Sequence, residues 1–299
     1  MPVRTVYLGT SDFAAAVLER LADSPHKPAL VVTRPDRPKG RGRKLESPPV
    51  AHAARALGID LAQPEDVNAE EARAQITAAE PDAVVVCAFG ALLKEPLLSE
   101  HDMLNVHPSL LPRWRGAAPI ERAIMAGDAE TGVGIMRLTA GLDSGPVCLM
   151  EREPILNDDT FGTLSTRLAD LGSTLLLRAL DESPPFAEQP DDGVTYAEKI
   201  VAEDRLLDPV ARSAAELDRT VRALNPHIGA RLALPDGSFL GVWDAQLTAA
   251  SALRPGTLGN EGGRLVLGCA GSSALELTVV QPPGRRQMPA TDYLRGHKL

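Results

Sequence analysis

The chain has 299 residues, of which 44% are hydrophobic, 24% charged and only 3% aromatic, with a formal net charge of −9. The apolar fraction excludes a disordered chain, the length predicts two domains with separate cores, and the scarcity of aromatics excludes extensive base-stacking platforms. Cys87, Cys148 and Cys269 are far apart and show no CxxC or Cys/His spacing, which excludes a disulfide framework or structural zinc and suits a reducing cytoplasm. No apolar core of a signal peptide and no run near the roughly 18 residues of a membrane span is found, so no membrane partner is expected. The charge is uneven. Residues 205–299 carry 11 basic and 8 acidic side chains, against 20 and 32 in residues 1–204. A basic tail on an acidic body points to a polyanionic partner.

The opening reads as strand (3–8), turn with capping residues (Gly9 to Asp12) and helix (13–22). A short apolar run at 30–33 reads as a buried strand, helical patterns follow at 48–57 and 69–79, and a further strand at 83–88 ends at Phe89-Gly90. Strands at 133–138 and 147–153 and a long amphipathic helix at 160–180 complete this part. Apolar strands alternating with helices predict a parallel sheet covered on both faces. The Pro- and Asp-rich stretch 183–193 reads as a linker. Beyond it, a helix at 214–224 and short strands at 231–234, 239–243, 264–268 and 275–281 fit a small barrel or half-barrel. Gly9-Thr10-Ser11-Asp12 is not a GxGxxG fingerprint, so a dinucleotide is not expected.

Asn105 and His107 are two residues apart at what reads as a strand end, so both side chains share a face, and Pro108 takes the chain out of the sheet. An amide N–H₂ can donate to an oxyanion and an imidazole can move protons near neutral pH, a pairing suited to acyl-group chemistry. Asp143 sits in a Gly-bracketed loop (Gly141 to Gly145) after an apolar strand, where a carboxylate can orient the imidazole. Taken singly, Asn-x-His commonly serves local backbone groups, and Asp in a Gly-rich loop commonly closes a turn.

The string Asn105-Val-His-Pro-Ser-Leu-Leu-Pro112, with Gly116 after it and then Leu142-Asp-Ser-Gly145, resembles the 10-formyltetrahydrofolate-dependent formyltransferases. Ser109 to Ile120, Gly127 to Gly132, Thr10, Asp12-Phe-Ala, Pro35 to Lys44, Thr195-Tyr-Ala-Glu-Lys199, Asn225-Pro226 and Gln281 to Arg286 extend the likeness over nearly the whole chain. They point to the branch whose acceptor is the amine of an initiator methionyl-tRNA. The resemblance implies an α/β fold: a Rossmann-like parallel-sheet formyltransferase domain (1–182), a linker (183–204) and a small OB-like β-barrel domain that binds tRNA (205–299). It also implies a catalytic trio of Asn105, His107 and Asp143. Folate binding falls to Ser109, Leu110, Leu111 and Pro112, with Phe89, Gly90 and Leu92 walling a pterin pocket. The co-substrate is 10-formyltetrahydrofolate, and no metal is implied; the six histidines show no ligand spacing. One departure is visible: His227-Ile-Gly229 follows Asn225-Pro226 where the family commonly has Trp-Pro.

Residues 34–44 place six cations (Arg34, Arg37, Lys39, Arg41, Arg43, Lys44) in a Pro- and Gly-broken loop. A solvated loop is the simple reading; beside a tRNA substrate it reads as an acceptor-arm clamp, with Arg41 reaching furthest. Lys199, Arg285 and Arg286 are expected to contact phosphates. A monomer is expected. Formyl transfer to a small amine (glycinamide ribonucleotide or a nucleotide sugar) and hydrolysis of the formylfolate remain open alternatives, because they require the same trio.

Overall fold

The computed structural model describes residues 1–39, 44–249 and 251–297. In chain order the first elements are β1 (Thr5–Gly9), α1 (Asp12–Ala22), β2 (Leu30–Val32), β3 (Arg37–Lys39), β4 (Lys44–Glu46), α2 (Pro49–Ala56), β5 (Asp60–Ala62) and α3 (Glu70–Ala78). There follow β6 (Ala83–Cys87), α4 (Leu97–Glu100), β7 (Met103–His107), β8 (Arg115–Gly116), α5 (Pro119–Ala126), β9 (Glu130–Arg137), β10 (Val147–Pro154) and α6 (Phe161–Glu182). The remainder comprises β11 (Tyr196–Ala197), β12 (Leu206–Leu207), α7 (Ala214–Leu224), β13 (Ala230–Ala233), β14 (Phe239–Thr248), β15 (Leu258–Glu261), β16 (Arg264–Cys269), β17 (Ser273–Gln281), β18 (Met288–Pro289) and α8 (Ala290–Gly296). Two compact units result, one of residues 1–119, 131–154 and 165–197, the other of 120–130, 155–164 and 198–299.

The first unit is built on a seven-stranded sheet ordered β10-β9-β7-β6-β1-β2-β5. Every residue of β1, β6 and β7 is buried, which is why these strands read as unbroken apolar runs. Val6, Leu8, Val32, Val84, Val86, Phe89 and Met103 form one core cluster with Ile76 of α3. Fully burying each such side chain contributes about 1.5–3 kcal/mol. Ser11 caps α1 by accepting from the Ala14 amide, and the helix buries Phe13, Ala14, Val17, Leu18 and Leu21 on one face. Gly9 lets β1 turn into α1, since a Cβ there would lie 2.6 Å from the Tyr7 ring and 2.9 Å from Ala14 Cβ.

The expectation of a parallel sheet holds for β5, β2, β1, β6 and β7 and fails at β9, which pairs antiparallel with β7 (Asn105 opposite Met136, His107 opposite Gly134). A run of buried residues does not encode its direction, and α5 between β7 and β9 does not bring the parallel pairing that a crossover helix usually accompanies. The cationic stretch also differs from a plain loop: β3 and β4 pair antiparallel, Arg37 opposite Glu46 and Lys39 opposite Lys44. The stretch 183–193, expected as a linker, is fastened within the first unit: Ala187 exchanges two backbone hydrogen bonds with Val147 (2.8 and 3.0 Å).

The second unit is a mixed sheet ordered β12-β13-β14-β17-β16-β15, with β18 on β17. β12 pairs parallel with β13 and the other strands pair antiparallel. No pairing between β12 and β15 closes it into a barrel among the described residues. Helix α7 opens with a capping box of Ser213 and Glu216, and its Leu217, Val221 and Leu224 join Leu240, Val242, Leu265 and Leu277 in the core. His227, at the departure from the family pattern, pairs with Glu121 (3.0 Å) and stacks on Phe161 at 3.8 Å between centroids.

Candidate active site

β7 delivers Asn105 and His107 from the centre of the sheet, their side chains on one face and both residues more than nine-tenths buried. The chain then loops through Pro108 to Gly116, and two groups of that loop turn back onto the site. The Trp114 carbonyl accepts from His107 Nε2 at 2.9 Å. A carbonyl can only accept, so Nε2 carries a proton and the ring's orientation is set from that side. The Gly116 amide donates to Asp143 Oδ2 at 2.8 Å. Trp114 is held at φ 62 and Gly116 at φ 122 to aim these groups. A Cβ at Gly116 would sit 2.7 Å from the Ala197 carbonyl oxygen, so only glycine fits.

Asp143 arrives on the 138–146 loop. Because β9 runs antiparallel, this loop starts opposite Leu104, and the Leu138 amide donates to Met103 O (2.9 Å). Asp143 adopts φ 42, a left-handed conformation that costs a non-glycine residue about 1 kcal/mol or more and is maintained only by surrounding contacts. Asn105 Nδ2 donates to its Oδ1 at 3.4 Å, and Oδ2 lies 3.7 Å from His107 Nδ1. At that separation Asp143 is a counter-charge and not a hydrogen-bond partner of the ring. The expected orienting role of Asp143 therefore passes to the Trp114 carbonyl. Both side chains are shielded, His107 to 5% and Asp143 to 14% exposure, which strengthens their electrostatic interaction.

The three residues read as a catalytic trio are thus together. The residues read as folate contacts divide. Phe89 and Leu111 are buried, and the buried Ser109 donates its hydroxyl to the Arg113 carbonyl (2.7 Å). Gly90 and Leu92 are exposed on the loop after β6, where a Cβ on Gly90 would meet open space. Leu110 and Pro112 are half-buried. Leu92 and Leu142 expose 67% and 58% of their surface, apolar area that the protein itself does not cover. Asn68 holds the Leu92 segment, donating to Leu92 O (3.0 Å) and accepting from the Lys94 amide (2.8 Å).

Of the cations, Arg37 pairs with Glu65 at 2.8 Å and is exposed; Lys39 and Lys44 end the paired strands; Arg41 and Arg43 lie outside the described residues. Lys199, Arg285 and Arg286 are exposed in the second unit. The Cys87 thiol, at the end of β6, is pushed up to about 12 by burial, which removes it as a nucleophile. Among the described residues no cluster of His, Cys, Asp or Glu is placed to hold a metal ion, and no helix is long and apolar enough to cross a membrane. Sequence reasoning missed Gln189, whose amide reaches the Asp143 loop (2.8 Å); a glutamine in a polar, Pro-rich stretch carries no pattern that separates it from solvated surface.

A buried amide and imidazole from one central strand of an α/β sheet, beside a carboxylate on a neighbouring loop, are groups suited to acyl-group chemistry, and the chain belongs to the formyl transferase family. The formyl transferase family model matches residues 3–180 and its C-terminal domain model matches residues 199–298. The chain is 43% identical over 300 residues to the methionyl-tRNA formyltransferase of Dechloromonas aromatica, covering 99% of this chain and 97% of that protein. To the methionyl-tRNA formyltransferase of Halorhodospira halophila it is 44% identical over 311 residues, covering 100% and 98%. Among solved structures, HypX from Aquifex aeolicus in complex with tetrahydrofolic acid has a similar fold, with TM-score 0.70 at 16% identity, covering 98% of this chain and 47% of that one.

Proposed function

We propose that the protein transfers the formyl group of 10-formyltetrahydrofolate to the α-amine of initiator methionyl-tRNA. The observation that carries this reading is the convergence of Asn105, His107 and Asp143, in a chain about 43% identical along its length to proteins of that name. The neutral amine attacks the formyl carbon, and a C–N bond forms as the carbonyl electrons move onto oxygen. Asn105 Nδ2 stabilises that oxyanion by hydrogen bonding, joined by His107 Nδ1 once that nitrogen, bare while Nε2 carries the ring's proton, has taken up the amine's proton. The amine's proton passes by way of His107 to N10 of the folate, whose bond to the formyl carbon breaks. Asp143, 3.7 Å from Nδ1, stabilises the ring while it is positively charged.

The exposed Leu92 and Leu142 and the open Gly90 suit the flat apolar face of a pterin, with Leu110 and Pro112 contributing from the loop after β7 and Ser109, Leu111 and Phe89 supporting them from within. In this reading residues 1–182 carry the chemistry and residues 205–299 form a tRNA-binding domain, with further RNA contacts from the cationic stretch and Lys199. Arg37, Lys39, Arg41, Arg43 and Lys44 clamp the acceptor arm, while Lys199, Arg285 and Arg286 contact phosphates. An exposed pair such as Arg37–Glu65 is worth less than about 1 kcal/mol, so exchanging Glu65 for a phosphate costs little. The test is incubation with 10-formyltetrahydrofolate and, separately, initiator methionyl-tRNA, glycinamide ribonucleotide, a nucleotide amino sugar, or water alone. Formylation of the tRNA is expected. Transfer to a small amine or formate release without tRNA formylation overturns the reading.

A further inference from the structure

We propose that Gln189, in the stretch of the first unit that follows α6, is a positioning residue for the reaction: its side chain clasps the Asp143 loop to the Arg115 turn and thereby sets the distance between Asp143 and His107. The inference rests on the trio reading above. Gln189 Nε2 donates to the carbonyls of Asp143 and Gly145, both at 2.8 Å. Its Oε1 accepts from Arg115 Nε (3.0 Å) and Nη2 (2.8 Å). The amide's orientation is forced, because carbonyls only accept and a guanidinium only donates. Both amide hydrogens and the amide oxygen are engaged.

The position of these contacts gives them their consequence. Arg115 lies between Trp114, whose carbonyl holds His107, and Gly116, whose amide holds Asp143. The same strap grips that turn again further on: Thr195 Oγ1 accepts from the Trp114 amide (2.9 Å), Thr195 O from the Arg115 amide (2.9 Å), and β11 pairs with β8. Asp143 sits at φ 42, a conformation its own loop does not favour, and Gln189 is the group that holds its carbonyl. Without that donor the loop can relax toward ordinary φ values and carry the carboxylate away from Asn105 and His107. Displacements of about 1 Å at such a site cost up to about a hundredfold in rate.

Two variants of the full chain test this in single-turnover formylation of methionyl-tRNA, where large losses stay measurable. Gln189→Met keeps the side chain's size and removes every hydrogen bond. Gln189→Glu keeps the Arg115 pair and turns an oxygen toward the Asp143 and Gly145 carbonyls. Both should lower the formylation rate by about 10- to 100-fold, with the half-saturating concentrations of folate and tRNA within twofold and the Glu variant's unfolding temperature close to wild type. Placed in an Asp143→Ala background, neither should cost a further factor of three, since the residue they position is gone. A wild-type rate in Gln189→Glu, or an equal loss in both backgrounds, overturns the proposal. A near-normal rate in Asp143→Ala alone overturns the trio reading instead.

Discussion

Asp143→Asn is the sharpest probe of the site, because it preserves shape and changes only charge and one donor. The carboxylate accepts from the Gly116 amide at 2.8 Å and Asn105 Nδ2 at 3.4 Å, and lies 3.7 Å from His107 Nδ1. An asparagine must turn its own N–H₂ toward one of them, converting a hydrogen bond to a charged acceptor, worth about 1.5–3 kcal/mol, into a donor–donor contact. The larger effect falls on the reaction. At an effective dielectric near 20, a charge pair about 4 Å apart is worth about 4 kcal/mol, and the ring loses that stabilisation when it carries the proton. At about 1.4 kcal/mol per decade, the expected fall in kcat is about 10²–10³, with the KM for folate within about threefold. The assay is steady-state formylation of methionyl-tRNA, with folate binding followed separately. A kcat within threefold of wild type would refute the assignment of Asp143 as the counter-charge.

Asn105→Ala should lower kcat by about 10²–10³ through loss of one oxyanion donor, leaving folate affinity near wild type; an effect confined to KM, read in the same assay, removes its proposed role. Arg41→Ala should reduce kcat/KM for methionyl-tRNA at saturating folate, and Arg285→Ala with Arg286→Ala should raise KM for tRNA and flatten its logarithmic salt dependence by about one for each phosphate left without its cation. Unchanged kinetics from about 50 to 200 mM salt would leave these cations as solvated surface. Asp204 accepts two bonds from Arg122 (2.9 and 2.8 Å) and one from the Val201 amide, and the Arg122 hydrogen bonds in particular hold its carboxyl below the ordinary range. A folded-state value below the unfolded one means stability that is present above about pH 4 and lost as pH falls through the lowered value. Thermal unfolding should therefore show Asp204→Asn destabilised at neutral pH, with the gap to wild type narrowing at about pH 3.

The parallel core was legible because strands buried on both faces need apolar residues throughout, as in β1, β6 and β7. The bounds of α7 were legible too, since its helical pattern is local and opens with a capping box only four residues long. Asn105 and His107 stood out by spacing and by family resemblance, because residue type and an alternation of two along a strand are visible in one dimension. The direction of β9 was not encoded in its composition, and neither was the β3–β4 pairing across a Pro- and Gly-rich stretch. The groups that tie the trio in place were the least legible. Two are backbone atoms, the Trp114 carbonyl and the Gly116 amide, which every residue but proline possesses, and the third is a glutamine in a polar stretch. Which side chain reacts is a property of residue type. What holds it there depends on chain segments about 75 residues apart, such as Arg115 and Gln189 (a separation of 74), and only the folded chain brings them together.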